Sequence, residues 1–142
     1  NANMFFIDVP DKSENVLYAV SSIINSTLFS VLARSIALSQ QNGYFKFNKQ
    51  FIEPTPFPKN NFNTNIKLVN EISDLAINIK EVQEQYHNSS PRQKNTLKTI
   101  LNTYWTNLDN KVYHLYDLTD EQILFFNDKG RNINRLDILD KI

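Results

Sequence analysis

The sequence predicts a predominantly helical α+β fold: a small β-containing lobe with two short helices, then an antiparallel αα-hairpin and a short C-terminal helix. Three observations predict it. Leu68, Ile72, Leu75, Ile79, Val82 and Tyr86 recur at spacings of 4 and 3, and Leu97, Leu101, Tyr104, Leu108, Val112 and Leu115 repeat the pattern after a turn. That is the seam spacing of paired helices. Phe45 and Phe47 alternate with Lys46 and Asn48, the pattern of a half-buried strand. Between the two patterns Pro54, Pro56 and Pro58 take every second position, three of the five prolines in the chain, and their missing N–H groups end any strand ladder.

Taken in order, MFFIDV (4–9) is a short apolar run closed by Pro10 and reads as a strand. Asp11 and Glu14 have capping-box spacing and open a helix whose apolar face carries Val16, Leu17, Val20, Ile23 and Ile24. Asn25-Ser26 then interrupts: Asn tolerates a helix C-terminus and Ser is a good N-cap, so a second helix runs over 27–38 through Leu28, Val31 and Leu32. SQQNG (39–43) is a polar turn and YFKFNKQFI (44–52) a strand. The prolines that follow push Thr55 and Phe57 toward extended backbone, making a stiff exit. From Thr64 the long helix begins. HNSSPR (87–92) turns the chain, with Ser90 as N-cap and Pro91 at the first helical position, and a hairpin of about 35 Å results at ~1.5 Å per residue. Thr119 and Gln122 cap a last helix through Ile123, Phe125 and Phe126 that stops near Gly130, before an amphipathic tail over 131–142.

Composition narrows the function classes. The chain has 142 residues, with 15 basic and 15 acidic side chains, so contact with a polyanion has to rest on a local patch. One segment supplies it: residues 34–67 hold Arg34, Lys46, Lys49, Lys59 and Lys67 against Glu53 alone. Cysteine is absent, which removes disulfides, thiolate metal sites and cysteine nucleophiles, and fits a reducing cytoplasm. No apolar run approaches the ~20 residues of a membrane span, and no membrane partner is expected. Asn1-Ala2 has the look of a cleaved expression tag.

Catalytic chemistry finds little footing. His87 falls at a turn and His114 at a helix end, without ligand spacing to a carboxylate cluster. With only Gly43 and Gly130 there is no Gly-rich phosphate loop, and Asp117, Asp120 and Glu121 suit capping of the helix that follows them. No catalytic, cofactor or metal residues are assigned. Recognition is better served: Gln40, Gln41, Asn42, Tyr44, Lys46, Asn48 and Lys49 surround one polar turn and the strand after it, inside the basic segment. Asn and Gln pair bidentately with adenine and Lys meets phosphate or guanine. A solvated hairpin edge is the plain alternative. Trp105 beside Tyr104 cannot share the centre of one seam, so packing against the other lobe or a missing one is expected, with a ligand platform as the alternative.

LYAVSSIINSTLF (17–29), FKFNKQFIEPTPFP (45–58) with a long helix directly after it, and VYHLYDLTDEQI (112–123) together resemble the target-recognition domains of bacterial restriction–modification proteins. The relevant groups are the TaqI-like C-terminal specificity domain of adenine-specific DNA methyltransferases and the specificity subunits of type I systems. The resemblance covers about residues 4–125 and lies in the order and spacing of the pieces. It implies a non-catalytic module that reads double-stranded DNA for an S-adenosylmethionine-dependent methyltransferase domain or subunit, with or without a fused nuclease. The family's Asn/Asp-Pro-Pro-aromatic motif, which holds the flipped adenine, has no counterpart here, because the prolines of EPTPFP are not adjacent. The expected division is residues 1–2 as tag remnant, 3–62 as the C-terminal part of the recognition lobe, 63–118 as a helical hairpin serving as spacer or dock, and 119–142 as helix and tail. Two other readings compete with it: a helical protein-interaction or dimerisation module using the 68–86 seam, and half of a type I specificity subunit.

Overall fold

A computed structural model describes residues 7–39, 45–46, 49–133, 135–136 and 139. The described residues are predominantly helical. In chain order they form α1 (Glu14–Ile24), α2 (Thr27–Ile36), β1 (Leu38–Ser39), β2 (Phe45–Lys46), α3 (Lys49–Ile52), α4 (Lys59–Thr64), α5 (Ile66–His87), α6 (Pro91–Leu115) and α7 (Asp120–Lys129).

α5 and α6 are the body of the fold. Asn65 caps α5, its side chain accepting from Leu68 N at 3.3 Å; no Gly or Pro interrupts the 22 residues that follow. Ser90 opens α6 with its N–H donating to Gln93 Oε1 at 3.0 Å and Pro91 in the first turn. The Lys94 and Lys98 ammonium groups lie over the Tyr86 ring near the turn, and Lys111 pairs with Glu71 at 2.6 Å toward the other end, so the helices run antiparallel. Ile72, Ile79, Val82 and Tyr86 face Leu101, Leu108, Val112 and Leu115 in one buried cluster, as the heptad spacing predicts. α5 also packs extensively against α1. Its buried set therefore includes Val69 and Ser73, which lie outside the heptad seam. Ala19 and Ile23 of α1, Leu28 of α2 and Leu139 of the tail join the same cluster.

The α1–α2 joint forms as its residues predict. Ser26 is fully buried and its hydroxyl accepts from Phe29 N at 3.2 Å; the two helices meet at 56°. Among the described residues no single helix is long and apolar enough to cross a membrane. α6 ends where Asp117 adopts φ 59°. Leu118 N then donates to Tyr113 O at 3.2 Å and Asp117 N to His114 O at 3.1 Å, the two bonds of a Schellman motif. Thr119 immediately caps α7, its N–H donating to Gln122 Oε1 at 2.9 Å. Gly130 closes α7 against α2, where a Cβ would lie 2.2 Å from Thr27 Cγ2.

The β-containing lobe expected from the sequence does not form among the described residues. Its strand over 44–52 shrinks to a two-residue antiparallel pair, Leu38 opposite Lys46 and Ser39 opposite Phe45, and Lys49–Ile52 turns into helix instead. Phe51, buried at the end of that turn, gives the reason: a helical turn buries it and still frees its carbonyl to accept from Thr55 Oγ1 at 2.9 Å. Of the expected strand over 4–9, Ile7–Val9 carry no strand pairing and the rest lies outside the described residues.

The proline segment is a docked connection. Thr55 is buried, the Tyr116 hydroxyl donates to Pro56 O at 2.8 Å, and the Phe57 ring sits 5.5 Å from that of Phe62. The long helix does not start at Thr64; α4 precedes it and breaks at Asn65 (φ −96°, ψ 62°).

Candidate nucleic-acid interface

Of the seven residues singled out from the sequence, Gln40, Gln41, Asn42, Tyr44 and Asn48 lie outside the described residues. Lys46 is placed by its backbone in β2. Lys49 opens α3 as an exposed side chain, its Nζ 3.9 Å from Glu53 Oε1, a surface pair of small energetic consequence. Lys46 and Lys49 thus lie within three residues of each other in the chain, at the junction where the short strand passes into α3.

The adjoining corner between α4 and α5 carries the rest of the basic segment. α4 is anchored from inside: Asn61 Nδ2 donates to Leu115 O at 2.8 Å, taking up a carbonyl that the end of α6 leaves free, and Phe62 packs against the core. Lys59, Asn60, Asn63, Thr64 and Lys67 are all exposed. Lys59, Asn60 and Asn63 spend no side-chain hydrogen bond or ion pair on the described residues. Glu71, the first acid after Glu53 in the sequence, is taken up by Lys111, whose hydrogen bond and charge hold its carboxyl below the ordinary carboxylate range. In the sequence Lys59 and Lys67 stand out only as members of the basic segment, and Asn60 and Asn63 do not stand out at all; the signal there is the acid-free run from Pro54 to Asn70.

Beside the corner runs a groove of about 960 Å³ between the segment before α1, α1 itself and the α3–α5 connection. Val16, Val20, Phe29 and Val69 line it, and Lys49, Glu53 and Lys59 stand among its polar groups. Ile7, Phe57 and Ile66, which also line it, are 48%, 37% and 56% exposed.

Away from this end, a buried clasp ties the C-terminal tail to the body. The Asp109 carboxylate accepts from Thr27 N at 2.9 Å, from Thr27 Oγ1 at 2.6 Å and from Arg135 Nη1 at 3.1 Å. Arg135 lies 4.3 Å over the Trp105 ring. Trp105 therefore stacks on the tail of its own chain, a partner that the weak periodicity of 131–142 does not reveal. Burial pushes the Tyr116 phenol up, and burial together with the Asp109 charge pushes Tyr113 up to about 12. Among the described residues no three His, Cys, Asp or Glu side chains gather as metal ligands, and His87 and His114 are exposed. Gly130 packs closely on Thr27 and belongs to the contact between α7 and α2.

No family model, curated protein or solved structure is matched by this chain. The function has to be argued from its own geometry.

Proposed function

We propose that this chain is the C-terminal part of a target-recognition domain that brings an S-adenosylmethionine-dependent, adenine-specific methyltransferase to double-stranded DNA and is itself non-catalytic. The observation that carries the reading is charge segregation. In a neutral chain, the segment 34–67 has five bases and one acid, and three of those bases, Lys49, Lys59 and Lys67, are exposed on α3, α4 and α5. The anchored prolines support it further. With Thr55 buried and Pro56 held by Tyr116, the connection that leaves α3 is fixed on the end of α6, the kind of rigid mounting that a module presenting a base to a separate active site requires. Selection from a randomised duplex pool with the purified chain tests the reading. Enrichment of one short motif is the expected outcome, and a pool that stays random refutes it.

A protein-interaction module is the second reading, and the groove favours it, since three large apolar residues stand exposed along one cleft. The heptad seam no longer supports it. Ile72, Ile79, Val82 and Tyr86 are already buried inside the chain, so a dimer through 68–86 would have to open the core. Sedimentation velocity separates the readings: a concentration-dependent dimer favours association through the groove.

A further inference from the structure

We infer that the α4–α5 corner is a phosphate-backbone clamp, with Lys59 and Lys67 as charge contacts and the Asn60 and Asn63 amides as neutral donors. This rests on the DNA-reading proposal above and extends it to residues outside the turn and strand that the sequence singles out.

Three features meet there. The first is spacing. Residues 59, 60, 63 and 64 fall on one helical face, and the inward residues Asn61 and Phe62 hold the opposite face of α4 to Leu115 O and to the core. The outward side chains are therefore presented from a fixed backbone, which lowers the ordering cost of a contact.

The second is unspent capacity. None of the Lys59, Asn60 and Asn63 side chains donates to any described residue, although much of the surface polarity elsewhere is engaged locally, as in Lys12 with Asp8, Lys111 with Glu71 and Asn15 with Asn70. The third is field. No acid lies between Glu53 and Glu71 in sequence, Lys111 neutralises Glu71, Lys49 stands beside Glu53, and of the two other acids along the groove that Lys59 lines, Asp8 is paired with Lys12 and Asp11 accepts from Ser13 N. A surface of this kind attracts a polyanion of closely spaced charges. Amide and ammonium donors are among the groups that position a protein on phosphates without reading bases.

The corner follows the proline segment directly. Tyr116 holds Pro56, Asn61 holds the end of α6, and the two anchors lie within six residues of each other in sequence. Phosphates held at the corner would thus share one rigid frame with Lys49 across the prolines.

The experiment is anisotropy of a fluorescein-labelled 24-base-pair duplex, titrated with the full chain at several salt concentrations between 50 and 300 mM KCl. Wild type, K59Q/K67Q and N60A/N63A are compared with K129Q/R131Q, a charge-matched control on α7 and the turn after it. All substituted side chains are exposed, and equal thermal melts establish equal folding. The expected result is a slope of log K against log salt that falls by about two in K59Q/K67Q and is unchanged in the control. N60A/N63A should lower affinity several-fold with the slope kept. Equal losses in K59Q/K67Q and the control, or an unchanged slope in K59Q/K67Q while wild type binds, overturn the clamp and leave the DNA reading standing. Absence of wild-type binding at 50 mM overturns both. Binding of an acidic polypeptide with the same salt slope and no duplex binding would make the corner a protein-docking surface and refute the assignment.

Discussion

Asp109→Ala should be among the most damaging single substitutions in this chain, because one carboxylate joins α6 to two elements far apart in sequence, the start of α2 and the tail. It accepts both the main-chain N–H and the hydroxyl of Thr27, in the first turn of α2, and both terminal nitrogens of Arg135. The side chains are 11% and 20% exposed, so the pair is largely out of water. Removing one partner of a buried pair costs about 3–5 kcal/mol, since the other charge stays behind unpaired. Arg135 keeps the face of Trp105 and some access to solvent, which places the expected loss near the lower end, at about 3 kcal/mol. For a chain of this size that is roughly a 10 °C fall in Tm. Arg135→Ala should cost less, because the carboxylate it leaves behind keeps both Thr27 donors and the favourable end of the α2 dipole.

Urea unfolding of the two single variants and the double variant gives the coupling energy, expected at about 2 kcal/mol. Trp105 is the single tryptophan and reports on the stacked guanidinium, while far-UV circular dichroism reports on the helices. A loss below about 1 kcal/mol for Asp109→Ala, or a coupling near zero, would refute the view that the clasp holds the tail.

Three further outcomes follow from single positions. Gly130→Ala places a Cβ 2.2 Å from Thr27 Cγ2 and should cost about 1–3 kcal/mol. Adding Thr27→Ser, which removes that methyl and keeps the hydroxyl for Asp109, should recover most of the loss in a thermal melt. Asp117→Gly relieves a non-glycine residue at φ 59° and should raise stability by about 0.5–1 kcal/mol in urea titrations. Tyr113 and Tyr116 both have folded pKa values raised above the ordinary 10 by burial. Their contribution is fully present below pH 10 and is lost as the pH rises toward about 12 for Tyr113. Stability measured across pH 9–12 should therefore fall by up to about 1.4 kcal/mol per unit per tyrosine, and a Y113F/Y116F variant should show a shallower decline.

What the sequence reveals here is what local chemistry decides. The Asn25-Ser26 joint, Pro91 in the first turn of α6 and the Thr119–Gln122 cap are visible because each terminus is set by residues within three or four positions. The facing seams of α5 and α6 are visible because a heptad repeat states one buried face. α1 lies across α5 on a different face, and nothing in the 68–86 spacing announces Val69 and Ser73 as buried. The expected strand at 44–52 is cut short for a related reason: alternation does not announce that a helical turn from Lys49 buries Phe51 and gives Thr55 a carbonyl to reach. The tail is illegible because its anchors, Arg135 and Leu139, are ordered by Asp109, Trp105 and the core, far away in sequence. For the candidate interface, the basic segment is readable as charge, whereas the outward face of α4 becomes visible only once Asn61 and Phe62 are seen to point inward.

The prolines join the two halves of this account. Read locally, Pro54, Pro56 and Pro58 stop a strand and stiffen an exit. In the fold they also carry a buried threonine, a carbonyl bonded to Tyr116 and a ring against Phe62, so the same segment is a fixed connection between the β2–α3 junction and the α4–α5 corner. A flexible linker would let Lys49 and Lys59 sample many separations, and a polyanion binding both would lose affinity to the cost of ordering them. A connection anchored at Thr55 and Pro56 removes that cost before binding. On the DNA-reading proposal, the alternating prolines matter less as breakers of local structure than as the connection that would let Lys49 and Lys59, on either side of them, meet one polyanion together.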